Sequence, residues 1–171
     1  MRSDAALLAE INQHNEAQVN LTITTLDEGL ARLVEPMAPR PLLRVAAVRA
    51  LANAGVRVMV LAHPVMPLIN DAEESLDAIA AVAKQNGASS FSAAPLFLKP
   101  CSAQVFLPFL EEKFPHLAGR YRERYRDRAY LKGFYPDLIQ ERVQRIVARH
   151  GLQPRERAKG PEYWNPQIPL F

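Results

Sequence analysis

The sequence predicts an α/β protein in which about three parallel strands alternate with helices, followed by a purely helical stretch. Three observations carry this expectation. Between Val19 and Leu98 three short runs with strand character are separated by helical patterns of about 10 to 15 residues, the spacing of strand–helix–strand units. Gly55 and Gly87 fall where two of those helices must stop. From Ser102 onward only helical periodicity remains.

Taken in order, Ser3 and Asp4 cap a first helix through about Asn12, with Leu7, Leu8 and Ile11 on one face. The next run is the most informative. Val19, Leu21 and Ile23 alternate with Asn20, Thr22 and Thr24, so one face is apolar and the other carries amide and hydroxyl groups. A parallel strand covered by helices is normally apolar on both faces. The polar face therefore looks either into a ligand-holding lumen or, at a sheet edge, into water.

Asp27 caps a short helix ending at Glu35-Pro36, and Pro41 opens a helix reaching Ala54. A second strand spans Val56 to about His63, where Pro64 and Pro67 should break it. Asp71 and Glu74 form a D-x-x-E capping box for a helix carrying Leu76, Ile79, Ala80 and Ala83. A third strand covers Ser89 to Leu98 and closes at Lys99-Pro100. Val105, Phe106, Phe109 and Leu110 then mark a helical face, His116 to Tyr130 a strongly basic helix, and Pro136-Asp137 the start of a last helix ended by Gly151. The tail from Leu152 to Phe171 holds prolines and no periodicity, and is predicted to lie unpacked or along the surface. The expected organisation is residues 1–100 as the strand-bearing part, 101–151 as its helical extension and 152–171 as a flexible tail.

At 171 residues, with 49% hydrophobic and 23% charged residues, the chain has the size and composition of one globular domain. No apolar run approaches the roughly 18 residues that suggest a membrane span. The N-terminal stretch carries Asp4 and Glu10 and lacks the apolar core of a leader, so a cytoplasmic location is expected. The net charge of +3 is unevenly distributed. Met1 to Ala118 has 9 basic and 12 acidic residues, whereas Gly119 to Lys159 has 12 basic and 5 acidic. The basic character thus belongs to the C-terminal helices. Arg120, Arg124 and Arg128 share one side of a helix, interleaved with Glu123 and Asp127. Such a surface is either a solvated, salt-bridged face or a nucleic-acid contact in which arginine meets phosphate and tyrosine stacks on bases.

One cysteine, Cys101, excludes an internal disulfide and any multi-thiolate metal site. The four histidines are not spaced as metal ligands, and no metal or catalytic residue is assigned. His63 stands at a strand end beside the supposed lumen, where a structural role is the ordinary one.

Thr22, Asp27, Glu35-Pro36, Arg44 and Pro64-x-x-Pro67-x-x-Asn70-Asp71 occur in order within VNLTITTLDE…EP…R…VAAVRALANAGV…PVMPLIND. Together they resemble the second half of radical S-adenosylmethionine proteins, in the spore photoproduct lyase-like branch, also described as DNA-repair-photolyase-like. The similarity covers roughly Arg2 to Leu152. It implies a half of a partial (β/α) TIM-like barrel, with this chain's strands in the fourth, fifth and sixth places and the cofactor across their C-terminal ends. It also implies S-adenosylmethionine and a [4Fe–4S] cluster as cofactors, with Thr22, Thr24, Glu35, Arg44 and Asn70 on the S-adenosylmethionine side. The family commonly has Gly where this chain has Leu68, and many members place an Arg before the position of Leu98-Lys99-Pro100.

The larger departure is the absence of the C-x3-C-x2-C loop whose thiolates hold the cluster. The chain is therefore expected to represent the C-terminal half of such a lyase-like enzyme, inactive alone and completed by a missing N-terminal half or a split partner. A second reading is a non-catalytic interaction or nucleic-acid-associated protein using the basic helices and tail. The last five residues, Gln167 to Phe171, read QIPLF and are similar to the short peptides by which bacterial repair and replication proteins dock onto the sliding clamp.

Overall fold

A computed structural model describes residues 4–14 and 17–154. The order of elements is α1 (Ala5–His14), β1 (Gln18–Thr22), α2 (Glu28–Val34), α3 (Pro41–Asn53), β2 (Arg57–Val65), α4 (Glu73–Gln85), β3 (Ser90–Pro95), α5 (Pro100–Lys113), α6 (Pro115–Tyr125) and α7 (Phe134–His150). The three strands form one parallel sheet in the order β1-β2-β3. This is the mixed α/β architecture that the alternation of strand and helix patterns predicts. None of the helices is long and apolar enough to cross a membrane.

Register assigns the two faces of the sheet. Leu21, Val60 and Phe91 align across the strands, as do Thr22, Leu61 and Ser92. The first set is buried in the main core with Val48 and Leu51 of α3, Leu76 and Ile79 of α4, and Ile139 and Ile146 of α7. Truncating any one of these fully buried aliphatics to alanine removes about 2–5 kcal/mol. The opposite face carries Asn20, which is exposed, Met59 and Ser90, which are buried, and Thr22, Leu61, His63 and Ser92, which are half-buried. The helices that share the sheet's core do so on the first face. A second apolar cluster joins Met66, Leu96 and Leu98, beyond or at the C-terminal ends of β2 and β3, to Leu110 of α5 and Leu117, Tyr121 and Tyr125 of α6.

Local structure departs from the sequence pattern at several points. In α1 Leu8 packs on the main core, but Leu7 and Ile11 are exposed, so the predicted apolar face is only partly used. β1 ends at Thr22 rather than Thr25, because Thr24 and Thr25 turn their polar atoms to neighbouring segments. β2 runs through Pro64 to Val65. Its pairing with β3 skips from Ala62↔Ala93 to Val65↔Pro95, and this irregularity accommodates a residue with no N–H to donate. The third strand stops at Pro95, and Phe97 instead bridges antiparallel to Tyr130.

The cap of α4 is Ala72, without a side-chain hydrogen bond, so the expected Asp71–Glu74 box does not form. Asp71 Oδ1 accepts from the N–H of Leu68, and its Oδ2 accepts from the Tyr135 hydroxyl. The basic helix ends at Tyr125, five residues early, and α7 begins two residues early at Phe134. The start of the tail is packed: Leu152 is buried, and Gln153 bridges Ser90 in parallel at the outer edge of β3. Gly87 ends α4 at φ +87°, and a Cβ there would lie 2.6 Å from that of Ala52. Any side chain would collide as well as strain the backbone.

α7 is fastened across α4 by charge. Arg149 donates to Asp77 Oδ1 at 2.6 Å, His150 Nε2 lies 2.9 Å from the same oxygen, and Arg145 donates to Glu73 at 2.8 Å. Partial burial opposes ionisation of Asp77, yet hydrogen bonds with His150 and Arg149 outweigh it and hold the carboxyl below its ordinary value of 3.8. Glu73 is likewise held low by its hydrogen bond with Arg145. A carboxylate with a depressed folded-state pKa contributes stability that is full above its unfolded value and is lost as pH falls through the folded one. Acid should therefore loosen α7. Melting temperatures followed from neutral pH to about pH 3 should fall less steeply for Asp77→Asn than for the parent chain. Parallel curves would show that the contact carries no linkage.

The outer edge of β1 has no strand partner among the described residues, whereas Gln153 covers part of the outer edge of β3. An open parallel edge beside an incompletely covered sheet favours association. We expect concentration-dependent species in sedimentation velocity and a broad thermal transition. A sharp, concentration-independent transition of a monomer would count against this.

Candidate functional site

The C-terminal ends of β1 and β2 are tied together by side chains from four separate segments. Arg44, on the first turns of α3, reaches back with all three of its guanidinium nitrogens. Nε donates to Pro39 O at 2.9 Å, one terminal nitrogen donates to Thr22 O at 2.9 Å, and the other lies 3.1 Å from Glu35 Oε2. Glu35 is the C-cap of α2, where Pro36 stops the helix. The same Oε2 accepts from the Thr24 hydroxyl at 3.0 Å. Asn70, buried on the turn after β2, donates from Nδ2 to Thr24 O at 3.0 Å and to Pro64 O at 3.2 Å, while its Oδ1 accepts from the N–H of Met66 at 2.6 Å.

All five sequence-predicted site residues thus fall in one hydrogen-bonded chain, but their atoms are not equally available. Asn70 spends its amide on three backbone groups, and Arg44 spends its guanidinium on two carbonyls and one carboxylate. Thr22 enters the network through its backbone oxygen. Glu35 is different: Oε1 has no protein partner among the described residues, and the side chain is about one-third exposed. Glu35 and Thr24 line a cleft of about 490 Å3 whose other walls are mainly apolar, including Val34, Pro64, Met66 and Phe106. A second cleft of about 310 Å3 shares Pro64, Leu96, Ser102 and Phe106 with it and reaches His63. His63 Nε2 lies 3.3 Å from Ser92 Oγ on the polar-bearing face of the sheet.

α5 and α6 form one side of this region, a contribution that their sequence did not reveal. Phe106 lines both clefts, and Val105, which the periodicity assigns to an apolar face, is 74% exposed. Two residues expected on the basic surface turn inward. Tyr121 donates to Pro67 O and Tyr125 to Leu96 O, each at 2.7 Å, and burial pushes both phenols well above their ordinary range. These two tyrosines brace the strand-end loops and cannot stack on bases. Cys101 is exposed in the first turn of α5, and no His, Cys, Asp and Glu group among the described residues is arranged to hold a metal ion. The QIPLF segment lies outside the described residues.

Leu68, where the resembling family commonly has Gly, stands at φ +64°. The left-handed conformation costs a side-chain-bearing residue roughly 1–2 kcal/mol. The N–H of Leu68 is satisfied by Asp71 at 2.9 Å, which holds the strained turn in place.

Fold and site together define an α/β chain with a polar cluster and adjoining apolar clefts at the carboxyl ends of a parallel sheet, the usual place for ligands in such sheets. No protein-family model matches the chain. It is 31% identical over 170 residues, 99% of its length, to uncharacterized proteins of Mycobacterium bovis and of two Mycobacterium tuberculosis strains. The chain spans about half the length of these curated relatives, covering 50% of each.

The Arg44 side chain is only 12% exposed, and its removal takes a donor from two carbonyls and leaves the Glu35 carboxylate with the Thr24 hydroxyl but no cation. Arg44→Ala should cost about 2–4 kcal/mol in urea unfolding. Arg44→Lys should recover only part of this, since an ammonium cannot reproduce the three-way fork. A loss below about 0.5 kcal/mol would mean that the network contributes little to stability.

Proposed function

We propose that this chain forms one wall of an S-adenosylmethionine cleft, as the C-terminal half of a partial (β/α) barrel similar to radical S-adenosylmethionine enzymes of the spore photoproduct lyase-like branch. The observation that carries the reading is Glu35, a partly exposed carboxylate held at Oε2 by Arg44 and Thr24 near the end of β1 and lining an apolar cleft. S-adenosylmethionine offers an ammonium and ribose hydroxyls that such a carboxylate accepts, and a flat base that apolar walls cover. Arg44 and Asn70 act as positioning residues, one aiming the carboxylate and the other holding β1 against the Pro64–Asp71 turn. The one-sided packing of the helices on the sheet, which leaves Asn20, Thr22 and His63 on the other face, is the arrangement of a barrel wall and supports the same reading.

Beside a reduced [4Fe–4S] cluster, bound S-adenosylmethionine supplies radical chemistry. The residues present do not fit the cluster, because a single Cys101 cannot provide three thiolates. No reaction step is therefore assigned to this chain. A completing half would supply the thiolates, and the double length of the mycobacterial relatives is compatible with such an arrangement.

Ligand-observed saturation-transfer NMR on the intact chain tests the assignment. Adenine and ribose protons of S-adenosylmethionine should show transfer, and Glu35→Gln should weaken binding by about tenfold or more, the worth of a hydrogen bond to a charged group. Glu28→Gln, on the exposed side of α2, should leave it unchanged. Absence of transfer with the parent chain, or indifference to Glu35→Gln, would overturn the reading.

A further inference from the structure

We propose that a third cleft, between the end of α6 and the start of α7, binds a nucleotide unit, with phosphate on Arg124, Arg128 and Lys132 and the base against Phe134. The cleft has a volume of about 560 Å3 and is lined by these four residues with Glu123 and Tyr135. That volume lies within the range of small-ligand sites. It is separate from the Glu35 cluster and does not depend on the reading given to that cluster.

Charge is the first argument. Arg122 pairs with Glu111, Arg145 with Glu73 and Arg149 with Asp77. Arg128 and Lys132 have no ion-pair partner among the described residues and, unlike the equally unpaired Arg120 and Arg126, line the cleft, where Arg124 rests over the Tyr135 ring with its guanidinium carbon 5.9 Å from the centroid. Among the described residues Glu123 is the only carboxylate lining the cleft. Three cations gathered around one concavity repel each other, and an anion placed among them relieves that repulsion. The tyrosine beneath Arg124 is itself fixed, since its hydroxyl donates to Asp71 Oδ2 at 2.9 Å. The floor of the cleft is thus tied to the turn after β2.

The second argument is aromatic. Phe134 is 75% exposed although it opens a helix whose other large apolar residues include the fully buried Ile139 and Ile146. Gly133 precedes it at φ +78°, ψ −150°, backbone that residues bearing a side chain do not tolerate. The chain therefore fixes the direction from which Phe134 enters the cleft. Cations alone would suit any small anion. An exposed phenyl ring beside them suits a ligand that carries phosphate and a flat base together, because stacking on the ring adds to the phosphate contacts.

Fluorescence polarisation with the full chain tests this, using a fluorescent adenosine triphosphate and a fluorescent oligothymidylate, with inorganic triphosphate as competitor. Both nucleotide probes should bind. Phe134→Ala should weaken them by about fivefold to a hundredfold, the range of a lost base–aromatic stack. The double variant Arg128→Ala, Lys132→Ala should weaken both and reduce the salt slope of oligonucleotide binding by about 1.4, two contacts at roughly 0.7 each. Should Phe134→Ala melt early, Phe134→Leu repeats the comparison with apolar bulk but no aromatic face. Tighter binding and a steeper salt slope for the oligomer assign the site to a strand, and equal binding of the mononucleotide assigns it to a free nucleotide. Lack of binding by either probe, indifference to both Phe134 variants, or displacement by inorganic triphosphate as effective as by the nucleotide would overturn the proposal.

Discussion

Asn70 is the buried amide on which the carboxyl end of the sheet depends. One side chain satisfies the backbone oxygens of Thr24 and Pro64 and the N–H of Met66, and so joins the exit of β1, the exit of β2 and the turn beyond it. An unsatisfied buried polar group costs about 1–3 kcal/mol, so each of these partners depends on the others being in place. Arg44 does the corresponding work on the other side of β1, binding Thr22 O and Glu35 at once. Between them, the strand end is held without a further strand beside it. Glu35 can then stand partly exposed without wandering, because the groups that fix it are themselves fixed.

The same turn carries the coupling outward. Asp71 follows Asn70 directly, and its carboxylate accepts from the Leu68 N–H and the Tyr135 hydroxyl while its backbone oxygen accepts from Arg142 at 2.7 Å. A strained Leu68, the end of β2 and the start of α7 therefore meet in two consecutive residues. Tyr121 adds a third support by donating to Pro67 O from α6. The helical C-terminal part is consequently no appendage. α7 shares the main core with the sheet, and α6 props the loop that positions the polar cluster.

The division between what could be read from the chain and what could not follows the range of the interactions. The alternation Val19–Leu21 against Asn20–Thr22 gives the two faces of β1 because strand geometry alone determines them, whereas Thr24, beyond the strand's end, is buried against Glu35. The ends of α3 and α4 were legible for a similar reason, since glycines at positive φ report local backbone. The grouping of Thr22, Thr24, Glu35, Arg44 and Asn70 was suggested by family resemblance, but which of them keeps a free atom depends on contacts across up to 46 positions. Asp71 matched a helix-capping pattern and was recruited instead by Tyr135, 64 residues away. Pro64 read as a strand terminator because a local rule cannot anticipate an irregularity in pairing that makes its missing N–H harmless. Tyr121 and Tyr125 looked like members of a basic surface because periodicity assigns sides to a helix without saying which side faces the protein.

The sheet itself has an unequal demand for covering. Leu21, Val60 and Phe91 are sealed by helices, while the aligned Thr22, Leu61 and Ser92 remain half-buried beside exposed Asn20. Most of the sheet's apolar burial lies on the first face, although Met59 is buried on the other, and among the described residues no strand pairs with the outer edge of β1. On the barrel reading proposed above, further strands would pair with that edge and enclose the polar-bearing face with its His63–Ser92 contact. Asn70 and Arg44 thus hold the strand ends by hydrogen bonds to backbone oxygens, independently of what lies along the outer edge of β1.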